Sequence, residues 1–170
     1  MTIAETLTPK LESHPLSVIY VREVSVKYRG PRRGVSFDAV GSPLKAAAFM
    51  RRVLPDNVRE HFLALFLDNR HQVTSYSVLA TGTAASCPVG TRELFQAALA
   101  AGACFLIVGH NHTSGQNAGE LFPSQEDLAV THRLSAAGDL LGLPVLDHLI
   151  IGNEGVYSFS EQNQMRPQTR

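Results

Sequence analysis

Residues 104–109 read Cys-Phe-Leu-Ile-Val-Gly, a run without a charged or strongly polar side chain. In a strand, successive side chains point to opposite faces. A strand that is apolar at every position therefore has to be covered on both sides, as in the buried strands of α/β proteins. This stretch asks for a sheet with helices on both faces.

The chain supplies those helices. Ser42 is a candidate N-cap with Pro43 at the first helical position, and a helix is predicted over 44–54, ending at Pro55. Thr91 is expected to cap a helix over 92–103. Ser124 opens another over 125–142, closed by Gly142 and Pro144. Strands are expected over 16–28, where Val24, Val26 and Tyr28 alternate, and over 60–68, with 73–80 as its hairpin partner. A final hairpin pairs 145–152 with 156–160. Residues 29–43, 81–90 and 113–123 read as loops. Strands and helices that interleave with hairpins predict an α/β (α+β) domain: a mixed, mostly antiparallel sheet flanked by helices.

With 170 residues and 44% hydrophobic residues, the chain is large enough for one self-sufficient core. The expected layout is a lead-in over 1–15, one domain over 16–160 and a tail over 161–170. Lys+Arg and Asp+Glu balance at 15 each. That balance argues against an extended duplex-DNA surface. It leaves room for a local basic patch, and Lys27, Arg29, Arg32 and Arg33 form one. Such a patch is either a solvated loop or a contact for nucleic acid or an acidic partner. The two cysteines, Cys87 and Cys104, lack CxxC spacing, so neither a disulfide framework nor a zinc finger is expected. Cys104, inside the apolar run, is expected to be a small buried hydrophobe. No segment approaches the roughly 18 apolar residues of a membrane helix, and no signal peptide is read at the start, so a cytoplasmic location is expected.

The apolar run leads into Gly-His-Asn-His-Thr-Ser-Gly at 109–115. His110 and His112, two residues apart at a strand end, face the same way. They make either a polar turn or a pair of metal ligands. Zinc in a catalytic site takes three protein ligands and leaves a position for water. Asp127, in the first turn of the helix opened by Ser124, is a third candidate. Ser124-Gln-Glu-Asp127 is also a capping-box pattern that satisfies free amides at a helix start. The two readings are compatible, because a capped helix end is a rigid mount for a ligand.

These residues sit within a longer resemblance. GHNHTSG, PSQEDLAVTHRLSAAGDLLGLPVLDHLIIG, the upstream GTAASCPVGTRELFQAAL and the strand EHFLALFLDNRHQV together resemble the RadC-like family of the JAB/MPN (JAMM) metalloprotease superfamily, over about residues 42–159. The resemblance implies the JAB/MPN (cytidine-deaminase-like) architecture and a zinc metallopeptidase or isopeptidase. It implies His110, His112 and Asp127 as ligands of one zinc ion per chain, Ser124 as a donor to the developing oxyanion and Glu60 as general base. The implied partner is a protein or peptide substrate, a ubiquitin-like conjugate among the candidates. Non-catalytic scaffolds of the same fold and DNA-associated factors are the alternatives.

The chain departs from the family pattern in three places. Thr113 stands where the family usually has proline, and Thr91-Arg92-Glu93 stands for Pro-Arg-Glu. Residues 113–123 are about four longer than the usual spacing, with Glu120 a competing ligand candidate. About forty residues precede the shared core, without a helix-hairpin-helix signal, so a short, core-only form is expected. Asp147 and His148, in LDHLIIG, are expected to be structural or supporting polar groups.

Overall fold

The computed structural model describes residues 40–54, 58–82, 89–112, 121–153 and 155–166. The expected strand over 16–28, the basic patch at 27–33, Cys87, Thr113 and Glu120 lie outside the described residues.

The elements run α1 (Pro43–Val53), β1 (His61–Leu67), β2 (Val73–Thr81), α2 (Thr91–Ala100), β3 (Phe105–Asn111), α3 (Gln125–Leu141), β4 (Val145–Ile151) and β5 (Val156–Ser158). The five strands form one sheet in the order β2-β1-β3-β4-β5. Every neighbouring pair is antiparallel except β3 and β4, which are parallel. A parallel pair needs a long crossover, and α3 supplies it. The result is the mixed, mostly antiparallel sheet flanked by helices that the sequence predicts.

All seven residues of β1 are buried, and β3 is buried throughout except at its first residue. Their side chains divide by parity. Phe62, Ala64, Phe66, Leu106 and Val108 pack with Leu94, Phe95 and Ala98 of α2 and Leu134 of α3. Leu63, Leu65, Leu67 and Ile107 pack with Ala46, Ala47, Phe49 and Met50 of α1. The sheet is thus the middle layer of three. His110, two and four residues beyond Val108 and Leu106, belongs to the α2/α3 face.

The helix ends follow local chemistry. Ser42 caps α1 by accepting the Lys45 N–H, and Pro43 is the first helical residue. Gly142 closes α3 in the left-handed conformation, at φ 66°. Near the other end of α1, Arg51 donates to the carbonyls of Gly152 and Gly155 at 3.0 and 2.7 Å, pinning the β4–β5 turn. Past Ser158 the chain stays against the fold: Phe159 is buried, Met165 packs on the core and Arg166 pairs with Asp139.

Four local expectations are corrected. Gly90, not Thr91, is the N-cap of α2 and makes no side-chain cap bond. Thr91 is the first helical residue, and its hydroxyl accepts from Arg133 instead. α2 stops at Ala100 because Gly102 turns the chain at φ 62°. Cys104 is exposed, not buried: it precedes β3, where its N–H donates to the Leu67 carbonyl at 2.8 Å before the strand enters the core. β5 ends at Ser158, where turns take over from the ladder. Among the described residues no helix is long and apolar enough to cross a membrane.

Candidate metal centre

β3 continues through the first histidine to Asn111, so His110 is held by a ladder on both sides. It lies opposite Phe62 of β1 and Ile150 of β4. His112, one residue past the strand, is tied to β4 by its N–H, which donates to the Ile151 carbonyl at 3.1 Å. Strand parity turns both imidazoles toward the N-terminal end of α3. The junction lies beyond the carboxyl ends of the parallel pair, the usual place for ligand sites in open α/β sheets.

Asp127 arrives from the first turn of α3 and divides its two oxygens. Oδ2 closes the capping box, accepting the Ser124 N–H at 2.8 Å and the Ser124 hydroxyl at 2.7 Å. The Ser124 oxygen in turn accepts the Asp127 N–H. Oδ1 is turned the other way and lies 3.3 Å from His110 Nε2. Capping uses one oxygen and leaves the other free for a ligand role, so the two readings are compatible. The Ser124 hydroxyl proton is directed at Asp127, so an oxyanion-donor role requires that hydroxyl to rotate.

The donor set fits a tetrahedral metal ion. His110 Nε2 and His112 Nε2 are 3.0 Å apart, and one donor atom from each of His110, His112 and Asp127 lies within 4.8 Å of the others. Donors about 2.0–2.1 Å from a tetrahedral zinc lie roughly 3.3 Å from one another. Two imidazoles and one carboxylate are a donor set that zinc takes in hydrolases.

The surroundings keep His110 neutral. It is 5% exposed, and Phe62 stacks nearly parallel to its ring at 6.1 Å. Burial pushes the imidazole down from 6.5 to about 4; the Asp127 carboxylate opposes the shift and His112 adds to it. A metal ligand has to be the neutral ring.

Glu60 stands immediately before β1 and is half-buried. Partial burial raises its carboxyl above the usual range; His112 pulls it down and Asp127 pushes it up. Glu60 thus lies within the electrostatic reach of two of the three candidate ligands. Its backbone is held from two sides. The Glu60 carbonyl accepts from Gly82 at 2.8 Å, and Asn111 bonds to the residues on either side of it.

Sequence reasoning missed two residues here. Thr131, one helical turn after Asp127, and Asn111, between the histidines, both face the centre's supports. The i, i+4 spacing from Asp127 is a signal for Thr131; Asn111 carries none without the β1–β3 register. His148 and Asp147 separate, as neighbours on a strand must. His148 reaches His110, with Nε2 3.0 Å from His110 Nδ1. Asp147 turns to the α1 face, where it accepts from the Ser158 hydroxyl and the Ser160 N–H. Burial raises the Asp147 carboxyl against those hydrogen bonds.

Fold and site together define a mixed α/β domain with a His-x-His and Asp cluster at a strand–helix junction. The family model for the RadC-like JAB domain matches residues 40–165, and the chain belongs to that family. It is 42% identical over 125 residues to a UPF0758 protein of Photobacterium profundum, covering 74% of this chain and 54% of the relative. A UPF0758 protein of Acidithiobacillus ferrooxidans is 41% identical over 125 residues, again 74% of this chain and 54% of the relative. One from Rubrobacter xylanophilus is 35% identical over 144 residues, covering 85% of this chain and 59% of the relative. The chain spans little more than half the length of these curated relatives.

Proposed function

We propose that this protein is a zinc-dependent metallopeptidase or isopeptidase that hydrolyses an amide bond in a protein or peptide. The observation that carries the reading is the convergence of His110 Nε2, His112 Nε2 and Asp127 Oδ1 with the Glu60 carboxyl alongside. His110, His112 and Asp127 would hold the zinc. When bound there, zinc supplies Lewis acidity that brings the pKa of a water toward neutrality. Glu60 takes the proton of the attacking water and returns it to the leaving amine. A carboxyl raised by partial burial is better matched to that task near neutral pH than an ordinary one. Ser124, once its hydroxyl turns from Asp127, donates to the carbonyl oxygen as negative charge develops. A conjugate to a ubiquitin-like protein is one substrate that chemistry would accept.

Metal content by elemental mass spectrometry tests the first half. About one zinc per chain is expected in the wild type and none in His112→Ala. Cleavage of a panel of peptides and isopeptide conjugates tests the second. Zinc bound without cleavage of any conjugate would replace the enzyme reading with a non-catalytic scaffold. A folded, zinc-supplied wild type without metal would remove both halves.

A further inference from the structure

Behind His110 runs a line of hydrogen bonds that returns to the helix carrying Asp127. His110 Nδ1 lies 3.0 Å from His148 Nε2, and His148 Nδ1 lies 2.6 Å from the Thr131 hydroxyl. The same hydroxyl donates to the backbone carbonyl of Asp127 at 2.6 Å. We infer that Thr131 and His148 are positioning residues that set the proton on Nδ1 of His110 and leave its Nε2 lone pair bare toward His112 and Asp127. The inference rests on the reading of His110 as a zinc ligand.

The direction of the line follows from counting protons. A carbonyl oxygen only accepts, so the single Thr131 proton points at Asp127. Thr131 can then meet His148 Nδ1 only as an acceptor, which places the His148 proton on Nδ1. A neutral imidazole has one donor and one acceptor, so His148 Nε2 accepts. The group it accepts from is His110 Nδ1–H. The remaining nitrogen of His110, Nε2, carries no proton.

That outcome has a consequence at the centre. A bare Nε2 and the Asp127 carboxylate Oδ1 are 3.3 Å apart, both acceptors, in a largely buried place. His112 Nε2, 3.0 Å from that lone pair, relieves the facing acceptors while it carries its own ring proton, and a cation satisfies all three groups at once. In the opposite orientation His110 would carry its proton on Nε2 and donate it to the carboxylate. The proton would then compete with the metal for both ligands. The relay therefore selects the metal-accepting form before any metal arrives.

Its parts are buried and packed. His148 is 1% exposed, lies nearly parallel to Phe159 at a ring separation of 4.7 Å and packs on Phe62. Thr131 is 1% exposed, on the same face of α3 as Asp127. The line begins on one candidate ligand and ends on the backbone of another, so it also fixes the distance between β3 and the first turn of α3.

The experiment has two arms. The first records long-range nitrogen–proton NMR spectra of the histidine rings in the metal-free wild type. His110 and His148 are expected as Nδ1–H tautomers, and finding either as Nε2–H would overturn the inference without involving zinc. The second measures zinc affinity by competition with a chromophoric chelator for wild type, Thr131→Ser and Thr131→Val. Thr131→Val is expected to weaken zinc by about 10- to 100-fold, the usual effect of losing a partner behind a ligand. It is also expected to shift both rings toward the Nε2–H form. Thr131→Ser should stay near wild type in affinity and tautomer. Equal affinity in all three proteins, with unchanged ring spectra, would overturn the relay. A wild type that binds no zinc yet shows both Nδ1–H rings would remove the metal reading and leave the hydrogen-bond line intact.

Discussion

Asn111 bonds to the His61 backbone N–H through its side-chain oxygen at 2.8 Å. Its side-chain amide donates to the Arg59 carbonyl, also at 2.8 Å. One side chain therefore holds the backbone on both sides of Glu60, at the point where β1 begins. Asn111 is 5% exposed, so these bonds are little contested by water. The residue between the two histidines thus holds the segment that carries Glu60.

Asn111→Ala is accordingly expected to leave zinc content unchanged, since no donor atom is removed. It should cost about 1–3 kcal/mol of stability, because the buried His61 N–H loses its acceptor. Urea unfolding read beside elemental analysis checks both. An unchanged midpoint would mean that water or backbone shifts satisfy His61 as well as Asn111 does.

Glu60→Gln keeps the size and burial of the side chain and removes its basicity. With a conjugate that the wild type cleaves, turnover is expected to fall by about 100- to 10,000-fold, the range attributed to a positioned acid–base group. Zinc should remain at about one per chain. Normal cleavage by this variant would take the base role away from Glu60 and leave the metal site standing.

Much of the frame was legible because short-range rules decide it. Ser42-Pro43 and Gly142 mark helix ends by local chemistry, and the short apolar run into β3, bounded by glycines, reads as a covered strand. The alternation that aims His110 and His112 together is equally local. What escaped depends on contacts distant in sequence. Thr91 looks like a cap, but Gly90 takes that position while the Thr91 hydroxyl meets Arg133. Cys104 belongs to the apolar run by composition yet lies before the strand reaches the core. No spacing rule reveals that Asp127 gives one oxygen to Ser124 and turns the other toward His110, 3.3 Å from its Nε2. Strand alternation does separate His148 from Asp147, but it does not reveal that His148 Nε2 lands 3.0 Å from His110 Nδ1, which depends on the β3–β4 register.

The metal-free protein should lose stability in mild acid. His110 is driven from 6.5 to about 4, and burial, with His110 and His112 beside it, holds His148 well below 6.5 as well. As pH falls below 6.5, the unfolded chain takes up protons that the folded rings refuse. The contribution is fully present above about 6.5 and lost toward pH 4. For His110 it amounts to about 3 kcal/mol. Glu60 and Asp147, both raised, act in the opposite direction and reduce the slope. Urea midpoints of the metal-free protein should fall from pH 7 to pH 4. A midpoint that rises over this window would show that the raised Glu60 and Asp147 carboxyls outweigh the two imidazoles.

Gly138 decides how closely α3 lies on the start of β4, and with it where Asp127 and Thr131 stand. A Cβ at this position would fall 2.6 Å from the Leu143 carbonyl oxygen and 3.3 Å from the Val145 backbone nitrogen. Both neighbours are backbone, so the helix itself has to shift. In an exposed helix interior, alanine for glycine gains about 1 kcal/mol of helix propensity. Forcing one extra carbon into a packed interior costs about 1–3 kcal/mol. The second effect is expected to win, so Gly138→Ala should lower stability on balance. Zinc affinity should fall with it, because displacing α3 moves Asp127 Oδ1 away from His110. Urea unfolding and chelator competition on this one variant check both effects. A stabilised variant with unchanged zinc affinity would show that α3 can move without disturbing the centre.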